Sequence, residues 1–310
     1  DLAGGLAALQ VDVYQKSLRQ KTWSDSRIVH ATYYQGKPYR LSRQQRLVST
    51  LHDMIPESHP EYFVFPKLRS PHLNKISWLQ ASDLVISVSA ASADDLSFYA
   101  PFLRPNIVVV HHATAIETVE PHPCDILYNR HFYLMVGKRA GYKNGRTLFK
   151  ALAQLRKGGC LDSESPVLVF AGGGPFTSCE RSFISSNYIS DYVVHVTPDA
   201  NGLAWLYRNA DAVLAPSCVE GFSIPLIESL ATDATLFASD IEAHREVASG
   251  FAHFISPCNA SAWADIIHTK TPLMKLSPRS LLGDEDYTAK RSYYSLQRLA
   301  SDHLNAYRDA

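Results

Sequence analysis

The chain has 310 residues, 46% hydrophobic and 19% charged, with 30 Lys and Arg balancing 30 Asp and Glu. That length holds two domains of ordinary size, each able to bury a core. Zero formal net charge gives no bulk pull toward polyanions, which excludes nucleic acid as a partner and means that any anion site is built locally.

In chain order, Asp1-Leu2-Ala3-Gly4-Gly5 runs straight into a helical pattern over 6–19, so the strand that ordinarily opens a βα domain is expected to be missing from the start. Strands are expected at 27–30, 47–51, 84–88 and 107–110, with helices at 70–81 and 91–99. Residues 113–131, rich in Pro, Glu and Thr, read as a connector. Short apolar runs then recur at 132–136, 167–170, 192–196, 212–215, 234–238 and 252–255. Helix-length stretches lie between and after them at 145–155, 178–184, 202–209, 225–230, 243–248 and 260–267, and a helical tail covers 287–310. Continuous apolar strands alternating with helices predict an open, doubly wound parallel sheet. The 5 cysteines, Cys124, Cys160, Cys179, Cys218 and Cys258, are scattered and odd in number. They form no disulfide framework or zinc set and fit a reducing compartment. No apolar run approaches the roughly 18 residues that cross a bilayer, and a cytoplasmic location is expected.

Ligands of such a sheet bind beyond the carboxyl ends of its strands. After 212–215 comes Pro216-Ser217-Cys218-Val219-Glu220-Gly221-Phe222-Ser223-Ile224-Pro225-Leu226-Ile227-Glu228. Pro225 suits a first helical turn, Ser223 suits its N-cap, and the start of such a helix attracts anions. Amides for phosphate, with Glu220 and Glu228 for hydroxyls, suit a phosphorylated sugar. The same pattern also reads as an ordinary capped helix bearing a solvated glutamate. After 132–136 comes Gly137-Lys138-Arg139-Ala140-Gly141-Tyr142-Lys143-Asn144, whose three cations can hold phosphate. A solvated basic turn is the plain alternative.

Glu220 and Glu228, seven residues between them, resemble the paired-glutamate signature of glycosyltransferase family 4. The segments 206–212, 238–241 and 246–247 are similar to that family's flanking positions. Residues 136–144 resemble the basic loop of a subgroup of bacterial polysaccharide and mannosyl transferases. Ser49-Thr50-Leu51-His52-Asp53-Met54-Ile55-Pro56-Glu57 resembles its histidine loop, and 85–89 a strand of its N-terminal domain. The resemblance implies an α/β protein of the GT-B fold, two Rossmann-like doubly wound domains facing across a cleft. The domains are expected at 1–116 and 117–284, with 285–310 returning to the first.

The resemblance further implies a retaining enzyme that moves a sugar from GDP-mannose, or a similar GDP- or UDP-sugar, to a glycan or lipid-linked acceptor. It needs no metal and no cofactor beyond the donor. Arg139 and Lys143 would hold the diphosphate, with Lys138 an alternative to Arg139. Glu220 would hold the transferred sugar and Glu228 the ribose. Gly221, Phe222 and Ser223 would present backbone to sugar and phosphate, and Thr197 to the base. His52 would reach the donor sugar across the cleft, and Gly5 would lie near the diphosphate. Relatives carry Gly where this chain has Ser223, which leaves the sugar open. The donor phosphate would itself take the acceptor's proton.

Other signals carry less. The adjacent His111 and His112 point to opposite sides of an extended chain, which argues against a shared metal. Gly172-Gly173-Gly174 is not a dinucleotide fingerprint. Lys37, Tyr39, Arg40, Arg43 and Arg46 are a basic stretch that suits either solvent or peripheral contact with an anionic membrane. Two rival functions stand beside the transferase: a non-catalytic two-lobed sugar-binding protein, and another enzyme of the same architecture such as an epimerase or phosphorylase.

Overall fold

The computed structural model describes residues 27–34, 36–38, 41–64, 72–103, 105–268 and 276–310. The expected helix at 6–19, the opening strand, Gly5, Tyr39 and Arg40 lie outside these residues. The chain divides into two compact units, one running through Ala113 and taking back Tyr294–Ala310, the other Thr114–Tyr293.

The first unit has a parallel sheet of four strands, β1 (Ile28–Ala31), β2 (Arg46–Leu51), β3 (Leu84–Ser87) and β4 (Ile107–Val109), hydrogen-bonded in that order. Side chains alternate between its faces. Leu47, Leu51 and Val85 pack with Trp78 and Leu79 of α1 (Lys75–Ala81) and Leu96 of α2 (Ala90–Tyr99). Val48, Leu84 and Ile86 pack with Ala306, Leu299 and Tyr307 of the C-terminal helix Leu296–Asp309. Both faces are covered, which is why these strands are mostly apolar, with Ser49, Thr50 and Ser87 buried among them. Ser89 caps α2 by accepting the Ser92 amide at 2.9 Å. The C-terminal helix is tied down by Arg298, which donates to the carbonyl of His111 at 2.8 Å.

The second unit has six parallel strands: β5 (Phe132–Val136), β6 (Val167–Ala171), β7 (Val193–Val196), β8 (Ala212–Ala215), β9 (Leu236–Ser239) and β10 (His253–Ile255). Their order is β10-β9-β8-β5-β6-β7. The chain thus winds outward from β5 through β7, crosses back to lay β8 beside β5, and winds outward on the other side. The gap between β5 and β8 is the topological switch point of a Rossmann sheet. The connecting helices are α3 (Gly145–Lys157), α4 (Ser178–Ser186), α5 (Ala200–Asn209), α6 (Ile224–Thr232), α7 (Glu242–Ala248) and α8 (Ala260–His268), followed by α9 (Pro278–Leu282) and α10 (Asp284–Tyr293). Leu148, Leu152 and Leu155 of α3 form one stripe at helical spacing and join Trp263, Ala264 and Ile267 of α8 in the core.

Of the boundaries that differ from the sequence reading, two have clear local causes. α5 starts at Ala200 because Asp199 caps it, accepting the Gly202 amide at 2.8 Å. β9 starts at Leu236 because Asp233 turns left-handed (φ 56°) and the Ala234 amide bonds back to Ser229 at 2.9 Å. The expected connector is laid on the second unit. Arg208 donates to the carbonyls of Val119 and Glu117 at 3.0 and 2.9 Å, and Asn201 to that of Glu120 at 2.7 Å. Among the described residues no helix is long and apolar enough to cross a membrane.

Candidate active site

The loops that leave β5 and β8 flank the switch point of the second unit, and the structure ties them together. Residues Gly141–Lys143 form a 3-10 turn ended by Asn144 in the left-handed region at φ 56°. Asn144 Nδ2 donates at 2.9 Å to the carbonyls of Pro216, after β8, and Pro257, after β10. The Cys218 amide donates to the Tyr142 carbonyl at 2.7 Å. One asparagine and one backbone bond thus join three loops at the carboxyl edge of the sheet.

This scaffold places Lys143 Nζ 2.6 Å from Glu220 Oε1, and Ser217 Oγ donates to the same oxygen at 2.6 Å. The glutamate side chain is only 6% exposed and the lysine 26%, so the pair is shielded from the screening that makes surface pairs weak. Glu220 lies four residues before the first residue of α6. Ser223 sits at that helix's N-cap with φ 83° and ψ 87°, and its hydroxyl caps no N–H. The expected Ser cap is corrected: a capping side chain needs an extended backbone, and this residue is left-handed. Gly221, Phe222 and Ser223 are all buried, lining the turn that leads into the positive end of the helix.

Glu228 is half-buried one turn into α6, and its Oε2 accepts from Tyr207 Oη at 2.6 Å. Burial raises the Glu228 pKa above the usual carboxylate range, and the Tyr207 hydrogen bond opposes that rise. Thr197 is exposed directly after β7.

Arg139 does not face this constellation. It is 5% exposed. Its Nε and one terminal nitrogen donate to the Glu180 carboxylate at 2.9 and 3.3 Å, and its other bonds go to the carbonyls of Gly172, Gly174 and Pro175. The ring of Phe176 lies 4.9 Å from the guanidinium carbon. The donors expected for a diphosphate are therefore spent on the turn after β6. Lys138, the alternative, is exposed and pairs with no described residue. Gly173 explains the glycine triplet. A Cβ there would fall 2.5 Å from the Gly137 carbonyl oxygen and 2.9 Å from Lys138 Cα, and φ is already +72°. The triplet lets the turn after β6 press backbone to backbone on the basic loop.

In the first unit, His52 follows β2 and its Nε2 donates to the Thr32 carbonyl at 2.8 Å. Its ring stacks on His112 with centroids 6.3 Å apart. Beneath this loop Lys75, fully buried, donates to the Asp53 carbonyl at 2.9 Å and to Glu57 Oε2 at 2.5 Å. Among the described residues no three His, Cys, Asp or Glu side chains gather as a metal-ligand set.

Reading the sequence missed Glu180 and Tyr207, which bond Arg139 and Glu228, and in the first unit Lys75, which holds the His52 loop. Glu180 was legible in part, since Thr177 and Glu180 have the spacing of a capping box, which the structure confirms. A cavity of about 1010 Å³ lies at the opposite, amino-terminal edge of the second sheet, bounded by His131, Pro166, Asp211 and Thr235. Its size makes no site: the ligand end of a doubly wound sheet is the carboxyl end, where Lys143 and Glu220 stand.

Two Rossmann-like parallel-sheet units, with ionic loops at a switch point, define a protein of the GT-B class. The structure is similar to sucrose-phosphate synthase from Thermosynechococcus elongatus, with a TM-score of 0.68 and 16% identity, over 95% of this chain and 80% of that one. It is equally similar to HepE of Anabaena, solved in complex with UDP-glucose, with a TM-score of 0.68 and 14% identity, over 94% of this chain and 80% of that one. In sequence the chain is 23% identical over 259 residues to the O-antigen chain mannosyltransferase RfbU of Salmonella typhimurium, covering 82% of this chain and 68% of that one. Residues 126–269 match the model of the family described as glycosyl transferases group 1, a match that together with the RfbU relative supports a glycosyltransferase.

Proposed function

We propose that the protein is a retaining hexosyltransferase that uses a nucleoside diphosphate sugar, GDP-mannose first among the candidates, to extend a glycan or lipid-linked saccharide. The observation that carries this reading is the shielded Lys143–Glu220 pair beside the start of α6, at the switch point of the sheet. In this proposal the ammonium of Lys143 and the exposed Lys138 neutralise the diphosphate as its bond to the sugar breaks. The positive end of α6 adds to them. A well-placed group of this kind contributes roughly 3–4 kcal/mol to the transition state. Glu220 holds hydroxyls of the transferred sugar, Glu228 the ribose, and the backbone beside Thr197 the base. His52 keeps the donor-sugar role that the family resemblance implies. The leaving phosphate accepts the proton of the attacking hydroxyl, so no protein nucleophile is assigned. The cations stand where a metal would otherwise be needed, so activity is expected to persist in EDTA. The enzyme would work in the cytoplasm, in peripheral contact with a membrane that carries the acceptor.

Donor hydrolysis followed by mass spectrometry tests this without a known acceptor. One nucleotide sugar among a GDP and UDP panel should be cleaved, and Lys143→Ala should slow cleavage by about 10²–10³-fold. Binding of a sugar with no cleavage of any donor would instead favour the non-catalytic sugar-binding protein. Once an acceptor is found, the anomeric configuration of the product by NMR decides between retention and inversion.

A further inference from the structure

His244, on α7, is fully buried. Its Nδ1 lies 3.0 Å from the Ser239 carbonyl. A carbonyl can only accept, so Nδ1 carries the proton and Nε2 presents a lone pair. That Nε2 is buried and meets no hydrogen-bond partner. A buried acceptor left unpaired is destabilising, a cost that a phenylalanine of similar shape would not incur. Packing alone therefore does not account for a histidine here.

α7 follows β9, the neighbour in the sheet of β8, which leads into the loop of Glu220. Burial, first, and Lys143 hold the ring below its ordinary pKa, while Glu220 pulls the other way. The lysine and the glutamate that act on His244 are the two groups bonded to each other at 2.6 Å. A diphosphate arriving at Lys143 competes with Glu220 for that one ammonium, and a carboxylate 6% exposed is costly to leave without a cation.

We propose that His244 is a positioning residue for Glu220, whose open Nε2 takes up a proton when Lys143 passes to the diphosphate of the donor. The imidazolium then replaces the lysine as the cation beside the carboxylate, while Nδ1–H stays on Ser239. The proton comes from the acid form of the solution buffer and returns to its base form when the nucleoside diphosphate leaves and Lys143 swings back. In this way Glu220 keeps a cation beside it and stays in place to accept hydroxyls of the sugar. The inference rests on the donor reading given above.

The test is titration calorimetry of the whole protein with the cleaved nucleotide sugar, near pH 7, in two buffers of different ionisation heat. A nucleotide sugar has no group that titrates in this range, so a buffer-dependent heat belongs to the protein. The wild type should take up a proton on binding, approaching one per donor. His244→Phe and His244→Gln should take up none and bind the donor about tenfold more weakly, the factor carried by one unit of a linked pKa. Equal heats in both buffers for the wild type, or uptake that persists in both variants, would overturn the proposal and leave the donor reading intact. No binding of any nucleotide sugar by the wild type would remove the donor reading itself. If His244→Phe does not fold, the wild type and His244→Gln still decide.

Discussion

Arg139 and Lys138 are adjacent cations with opposite circumstances, and substitution separates their roles. Arg139→Lys keeps the charge but loses the fork that binds Glu180 and three carbonyls. It should destabilise the protein by about 2–4 kcal/mol, because buried carbonyls and a carboxylate lose their partners. Lys138→Ala should leave stability within about 0.5 kcal/mol while raising the KM for the donor. Denaturant melts and donor kinetics on the two variants check this; a stable Arg139→Lys enzyme with weak donor binding would return the diphosphate role to Arg139. The sequence showed three cations in six residues but not which way each pointed. Direction depends on Glu180 and the turn after β6, which lie far along the chain.

At the scale of elements, the start of α6 holds a non-glycine residue in a region that glycine tolerates better. Ser223 at φ 83° stores about 1 kcal/mol or more of backbone strain. Ser223→Gly should raise the unfolding free energy by roughly that amount, less the extra entropy that glycine gives the unfolded chain. A change in preference among donor sugars should accompany it, read from the same hydrolysis panel. Gly173→Ala should do the reverse: its Cβ meets backbone at 2.5 and 2.9 Å, and backbone cannot rotate away. Loss of about 2 kcal/mol or more, with the activity falling alongside, is expected in melts and assays of that variant. Elements were legible where a strand or a cap is local in the chain, as at Phe132–Val136 and Ala212–Ala215. The left-handed cap at Ser223 was not legible, because nothing in Ser-Ile-Pro announces a positive φ.

At the scale of the molecule, both units carry an acid liability in buried histidines held below their ordinary pKa. In the first, His30 is lowered to about 3 and His112 to about 4, by burial first and then by neighbouring histidines. Both bind a proton near 6.5 when unfolded. Folded rings that stay neutral bind fewer protons than the unfolded chain, so their stability contribution is intact above about 6.5. It is lost as pH falls toward the folded values, by up to about 1.4 kcal/mol per ring per pH unit. Urea melts at pH 7 and pH 5 should show the first unit weakening, and a flat profile would contradict the buried, neutral rings. The division into two sheets was readable from strand–helix alternation. Tyr294–Ala310 folds with the first unit, while residues 285–293 of the expected returning tail fall in the second. That the connector lies along the second unit was not legible, because Arg208 and Asn201, which hold it, carry no local signal.

Asn144 is followed by Gly145, the dipeptide in which a side-chain amide is most readily attacked by the next backbone nitrogen and lost as ammonia. Here that nitrogen donates to the Arg139 carbonyl at 2.9 Å and belongs to the first turn of α3, while the side-chain amide is held by two prolyl carbonyls. Conversion to an acid would set negative charge against those two oxygens and unfasten all three loops. The gain of one mass unit at this peptide during ageing at alkaline pH is thus a slow clock for how often the loop opens, and a bound nucleotide sugar should slow it.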